Sequence, residues 1–67
     1  MPAATHGLTA RESQVVNLIL EGHSTKSIAH VLSIAIETVR VHRRHVYEKL
    51  GVSSQAELFR WFLASRD

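Results

Sequence analysis

Apolar residues along this 67-residue chain fall into four groups at helical spacing, separated by short polar or glycine-containing breaks. Val15, Val16, Ile19 and Leu20 form the first group; Thr9 followed three residues later by Glu12 is a capping box, and the helix is expected from Leu8 to a stop at Gly22. Ser24 is the next N-cap, opening a helix of about two turns through Ile28, Ala29, Val31 and Leu32, too short to stand without packing on neighbours. Ser33-Ile34-Ala35 interrupts the pattern, after which Ile36, Val39, Val46 and Leu50 mark a longer stripe ending at Gly51. Ser54 and Glu57 repeat the capping-box spacing and open a last helix, with Ala56, Phe59, Phe62 and Leu63 predicted to share its apolar face.

A short helix, a turn of three residues and a longer helix form the skeleton of a helix-turn-helix, whose second helix is the one a DNA major groove accepts. The predicted fold class is therefore all-α, a four-helix helix-turn-helix domain over residues 8–65, with residues 1–7 as a flexible tail. Hydrophobic content of 45% supports a folded chain, and three glycines with one proline leave little material for the turns of an all-β fold.

Charge placement changes the picture more than its total. Formal net charge is +2; residues 1–34 balance Arg11 and Lys26 against Glu12 and Glu21, and residues 51–67 balance Arg60 and Arg66 against Glu57 and Asp67. The whole excess lies between, where Arg40, Arg43, Arg44 and Lys49 oppose Glu37 and Glu48, with His42 and His45 able to add charge beside an anion.

At 100° per residue the third helix places Val39, Val46, Leu50 and Ile36 on one side and Glu37, Arg40, Val41, Arg44, His45 and Glu48 on the other. The second row is what a recognition helix lays along base edges: arginine suits bidentate pairing with guanine, and Val41 suits a thymine methyl. A solvated face with supporting pairs such as Arg44 and Glu48 is the plainer reading, which the preceding short helix and turn disfavour. Arg43 points to the flank of the apolar stripe, with its guanidinium expected to turn toward a backbone phosphate or solvent.

Four spaced motifs carry a resemblance over roughly residues 8–64: Leu8-Thr9-x-Arg11-Glu12; Gly22-x-Ser24-x-Lys26-x-Ile28-Ala29-x-x-Leu32; Thr38-Val39-Arg40-Val41-His42; and Lys49-Leu50-Gly51-Val52. In this order they resemble the LuxR/FixJ/NarL-type (GerE-like) DNA-binding domain of bacterial transcription regulators. The resemblance implies a recognition helix third and a dimerisation helix fourth, sequence-specific binding of double-stranded DNA at an inverted-repeat operator, and control by a receiver or ligand-binding domain. It places Arg40, Val41 and Arg44 at base-contacting positions, to which the outward row adds Glu37 and His45. Ser24, Thr25, Lys26, Thr38, His42 and Lys49 match positions at or near phosphates, and Arg43 joins them by its predicted direction. Thr25 stands where asparagine is common, Ala35 where a serine or threonine normally caps the third helix, and His45 where asparagine is frequent.

A domain this short buries only about 60% of the surface its unfolded chain exposes. The absence of cysteine removes both disulfides and thiolate metal sites, so a twin subunit is the expected reinforcement. Trp61 falls opposite the side predicted for Phe59 and Phe62, where a monomer would expose it; it either lies partly on its own domain or joins Leu58, Phe62 and Ser65 in a dimer interface. RNA polymerase is a further candidate partner.

The chemistry of the remaining residues excludes more than it adds. His42, His45 and Glu48 follow each other at intervals of three, so adjacent members diverge by about 60° around a helix and hold a metal poorly. No serine-histidine-carboxylate set, phosphate-cradling glycine loop or catalytic carboxylate pair stands out, so neither enzyme activity nor a cofactor or metal is expected. No apolar run reaches the length of a membrane span and residues 1–6 lack the order of a signal peptide, which makes a cytoplasmic chain the expectation. Two alternatives remain open at this level: a sigma-type promoter-recognition domain, which the Lys49-Leu50-Gly51-Val52 stop disfavours, and a protein-interaction module using the last helix.

Overall fold

The computed structural model describes residues 7–65, and every regular element in that range is a helix: α1 Ala10–Leu20, α2 Thr25–Leu32, α3 Ile36–Leu50 and α4 Gln55–Ala64. The predicted tail, apart from Gly7, lies outside the described residues. Local chemistry sets the helix ends. The Thr9 hydroxyl accepts from the Glu12 amide at 3.1 Å while the Glu12 carboxylate accepts from the Thr9 amide at 2.9 Å, closing the capping box reciprocally. Ser24 accepts from the Ser27 amide at 3.1 Å and starts α2.

The turn between α2 and α3 rests on a serine where glycine is the easier residue. Ser33 lies in the left-handed region (φ 58°, ψ 44°), at a cost of about 1 to 2 kcal/mol. That geometry lets the Ser33 and Ile34 amides donate back to His30 and Ala29 carbonyls and satisfies the end of α2. Ala35 then gives α3 no side-chain cap, as its methyl requires.

At α4 the expected box closes differently. The Ser54 hydroxyl accepts from the Glu57 amide at 3.1 Å, but the Glu57 carboxylate accepts from the amide and hydroxyl of Ser53, at 2.7 and 3.0 Å, instead of from Ser54. Those bonds from Ser53 hold the Glu57 carboxyl below the usual carboxylate range.

The core is built around one side of α3. Val39 joins Val15 and Ile19 of α1, Ile28 and Ala29 of α2 and Leu58 of α4; about two turns along, Val46 packs with Val16 and Leu8. Ile36, predicted in this stripe, is instead exposed at the start of α3.

The last helix faces the other way from its prediction. Leu58 is its fully buried residue, flanked by half-buried Phe59 and Trp61, whereas Phe62 and Leu63 are 39% and 60% exposed. Leu58 therefore has no surface to offer a second subunit, and Trp61 packs on its own core instead of standing clear of it. Every position from Ala56 to Ala64 other than Glu57 and Arg60 is apolar, so periodicity could not choose the face; contact with Val39 and Ile28 does.

One carboxylate sits among these apolar side chains. Glu12 is 4% exposed, on the same side of α1 as Val15, Val16 and Ile19, and its Oε1 accepts from Lys49 Nζ at 2.7 Å while His45 Nδ1 lies 3.8 Å from its Oε2. Burial pushes its pKa upward, but the hydrogen bonds from Lys49 and the Thr9 amide, with the charges of Lys49 and His45, outweigh that and hold the carboxyl below the usual range. The start of α1 is thereby tied to the end of α3.

Two outcomes follow from this packing. Leu58→Ala costs about 2 to 5 kcal/mol while Leu63→Ala changes stability by less than about 0.5 kcal/mol; comparable losses in urea melts would contradict the observed face. Because the folded-state pKa of Glu12 lies below its unfolded value, the stabilisation is complete above about pH 4.3 and is lost as pH falls toward the lowered value. Glu57, whose carboxyl Ser53 holds low, contributes in the same direction. Denaturation midpoints of Glu12→Gln therefore fall less between pH 6 and 3 than those of the parent, a range set by the carboxylate titration at about 4.3; an equal fall would remove Glu12 from the acid response.

Candidate nucleic-acid interface

Burial of Val39 and Val46 turns the opposite side of α3 outward. Glu37, Arg40, Val41, Arg44, His45 and Glu48 are all exposed, in the row the spacing predicts, with Val41 at 38%. The members differ in how they are held. Arg40 Nη1 donates to Glu37 Oε2 at 2.6 Å, an exposed pair that aims the guanidinium more than it stabilises the helix. Arg44 makes no hydrogen bond or ion pair among the described residues, and the alternative Arg44–Glu48 pair does not form. A planar five-donor cation is thus left unspent in mid-row, beside a small apolar side chain. His45 is at the edge of the row, within reach of the Glu12 carboxylate behind it.

The expected phosphate positions lie around this row in three settings. Ser24, Thr25 and Lys26 gather at the start of α2, where backbone amides and the helix dipole favour an anion. The Ser24 hydroxyl accepts from the Ser27 amide and the Thr25 hydroxyl from Arg43, so each keeps its O–H to donate outward. Thr38 is exposed in the uncapped first turn of α3 and His42 is half-buried on the next. Lys49 differs, with one of its three N–H donors committed to Glu12.

Arg43 departs furthest from expectation. Half-buried, its guanidinium donates to Thr25 Oγ1, Tyr47 OH and, in an exposed bond, Gln55 Oε1, and its Cζ lies 5.8 Å from the centre of the Tyr47 ring.

Three participants escaped the sequence reading. Glu12 was legible as a cap, and a carboxylate in register with Val15, Val16 and Ile19 also signals a buried charge that needs a cationic partner. Tyr47 and Gln55 carry no such signal, because only the crossing of α3 with its neighbours brings them to Arg43. Of the expected dimer residues, Phe62 and Ser65 are exposed, with Leu63 beside them. Among the described residues, no three His, Cys, Asp or Glu side chains meet as a metal-ligand set, and no helix is long and apolar enough to cross a membrane.

Comparison with known proteins agrees with this geometry. Residues 6–62 match the family of bacterial regulatory proteins described as the luxR family. A protein of Aeromonas salmonicida named as an HTH-type transcriptional regulator in the exeN 3′ region is 52% identical over 56 residues, covering 84% of this chain and 29% of that protein. The HTH-type transcriptional regulator MalT of Yersinia pestis (strain Pestoides F) is 45% identical over 53 residues, 79% of this chain and 6% of its own length, and MalT of Yersinia pseudotuberculosis serotype O:1b gives the same figures. The chain thus spans less than a third of the curated relatives it matches. No solved structure matches it. With α2, the Ser33 turn and the outward row of α3 in place, the chain belongs to the luxR family of bacterial regulatory proteins as an all-α helix-turn-helix domain whose work is DNA binding in transcription regulation.

Proposed function

We propose that α3 enters the DNA major groove and reads base edges with Arg40, Val41 and Arg44, flanked by Glu37 and His45, while the chain acts as one half of a homodimer on an inverted-repeat operator. The observation that carries this reading is the unspent Arg44 guanidinium in a continuous exposed row, backed by a fully buried Val39 and Val46. Ser24, Thr25 and Lys26 at the α2 start, with Thr38, His42 and Lys49 on α3, are the proposed phosphate contacts; they fix register and leave sequence choice to the row. Phe62, Leu63 and Ser65 form the proposed dimer face, the exposed side of a helix whose other side Leu58 anchors. Regulation by a signal is assigned to a sensory domain outside these helices, in keeping with relatives that carry the matching region as a fraction of their length.

Arg44→Ala is expected to cost about 1 to 3 kcal/mol on a specific site and to relax the preference at one position of each half-site. Equal weakening on all sequences, with the salt slope reduced by about one, would make Arg44 a phosphate contact. Replacing Phe62 and Leu63 together by serine is expected to lower self-association and operator affinity with helicity unchanged. Sedimentation showing the parent's oligomer distribution would remove this face from the interface.

A further inference from the structure

Arg43 spends its donors in an unusual way for a cation on a DNA-binding helix. Nη1 donates to Thr25 Oγ1 at 3.0 Å, and Nη2 donates to Tyr47 OH at 3.0 Å and to Gln55 Oε1 at 3.1 Å. All three acceptors are neutral, and among the described residues no carboxylate lies within ion-pair distance of this guanidinium. Thr25 is the first residue of α2 and Gln55 the first of α4, so a single planar group spans the starts of both helices that flank α3. The Tyr47 ring, one turn further along α3, supports the fork from below at 5.8 Å.

The mechanical setting gives this bridge its consequence. The core holds α3 by apolar contacts, which resist separation better than they resist rotation or sliding, because the hydrophobic effect is non-directional. Directional bonds are needed to fix the angle. At one side of α3 the Glu12–Lys49 pair supplies one, and Arg43 supplies one toward α2 and one toward α4. Leu58 seats α4 in the core shared with α1, α2 and α3, and the bond from Arg43 to Gln55 adds a directional tie between α3 and the start of α4.

We propose that Arg43 is a positioning residue and not a phosphate contact: it locks the recognition helix to α2 and α4, and so sets both the aim of the reading row and the separation at which a twin subunit finds its half-site. The proposal rests on α3 reading the major groove and α4 pairing subunits. Its physical basis is the planar guanidinium fork, whose two amino groups are held at fixed directions toward different acceptors, an arrangement that lysine's freely rotating ammonium, of equal charge, does not reproduce. Recognition needs side chains held to within roughly 0.5 Å, a tolerance that loosening of α3 would exceed.

The test uses the 67-residue chain with two duplex types, a single half-site and an inverted pair whose spacing is varied by one base pair, both taken from sequences selected out of a random pool. Arg43→Met and Arg43→Lys are each compared with the parent across a salt series. Loss of the lock is expected to reduce discrimination between the selected and a mutated half-site roughly tenfold, the scale of one hydrogen bond to a charged group. Preference for the selected spacing falls with it, and the single-half-site salt slope stays at the parent's value in both variants. A slope reduced by about one in Arg43→Met, with discrimination intact, would overturn the proposal in favour of a phosphate contact. Parent-like discrimination in Arg43→Lys would overturn it as well, since charge alone would then suffice. If the parent itself shows no preference for an inverted pair, the dimer reading fails, and the single-half-site slope and discrimination still decide the role of Arg43.

Discussion

A helix that offers one side to DNA can be held only from the other, and here that side must be gripped by three neighbours each no more than eleven residues long. Val39 and Val46 are the grip: both are fully buried, and between them they meet α1, α2 and α4 and the strip of chain before α1. The placement of everything else answers to this constraint. Short α2 is stable because Ile28 and Ala29 close over Val39, since a helix of its length is marginal alone. The Ser33 turn accepts a strained backbone because the two helices it joins must meet at once.

Apolar burial alone leaves the grip free to slip, and polar bonds complete it. Glu12 fastens the end of α3 to the start of α1 through Lys49, and the neighbouring His45 shares the same buried carboxylate. Arg43 does the corresponding work toward α2 and α4. The positive helix is therefore divided in use: Lys49 and Arg43 are engaged with the protein, Arg40 is steadied by Glu37, and Arg44 stands unengaged among the described residues. A formal excess of two charges says little about DNA; one uncommitted guanidinium in an exposed row says more.

Much of the fold was legible because the punctuation is chemical. Thr9 with Glu12, Ser24, Gly22, Gly51 and the uncapped Ala35 all act as the chemistry of each residue requires, and the division of α3 into stripe and row holds except at Ile36, which is exposed at its first position. Legibility failed where one property had no contrast or where distance in sequence hid a partner. On α4 the apolar residues surround the helix, so the 100° rule favoured Phe62 and Leu63 while packing chose Leu58. Glu57 turned to Ser53 in place of Ser54, a one-residue shift that spacing cannot resolve. Arg43 meets acceptors 18 and 12 residues away, and nothing local marks them.

The central claim is that α3 lies in the major groove with its row against base edges. Methylation interference on a selected operator tests it directly, because dimethyl sulfate marks guanine N7 in the major groove and adenine N3 in the minor groove. The account predicts interference from guanine N7 within each half-site, symmetric about the centre of the operator and weakened in Arg44→Ala. Interference confined to adenine N3, or none from guanine N7 in either half-site, would contradict it.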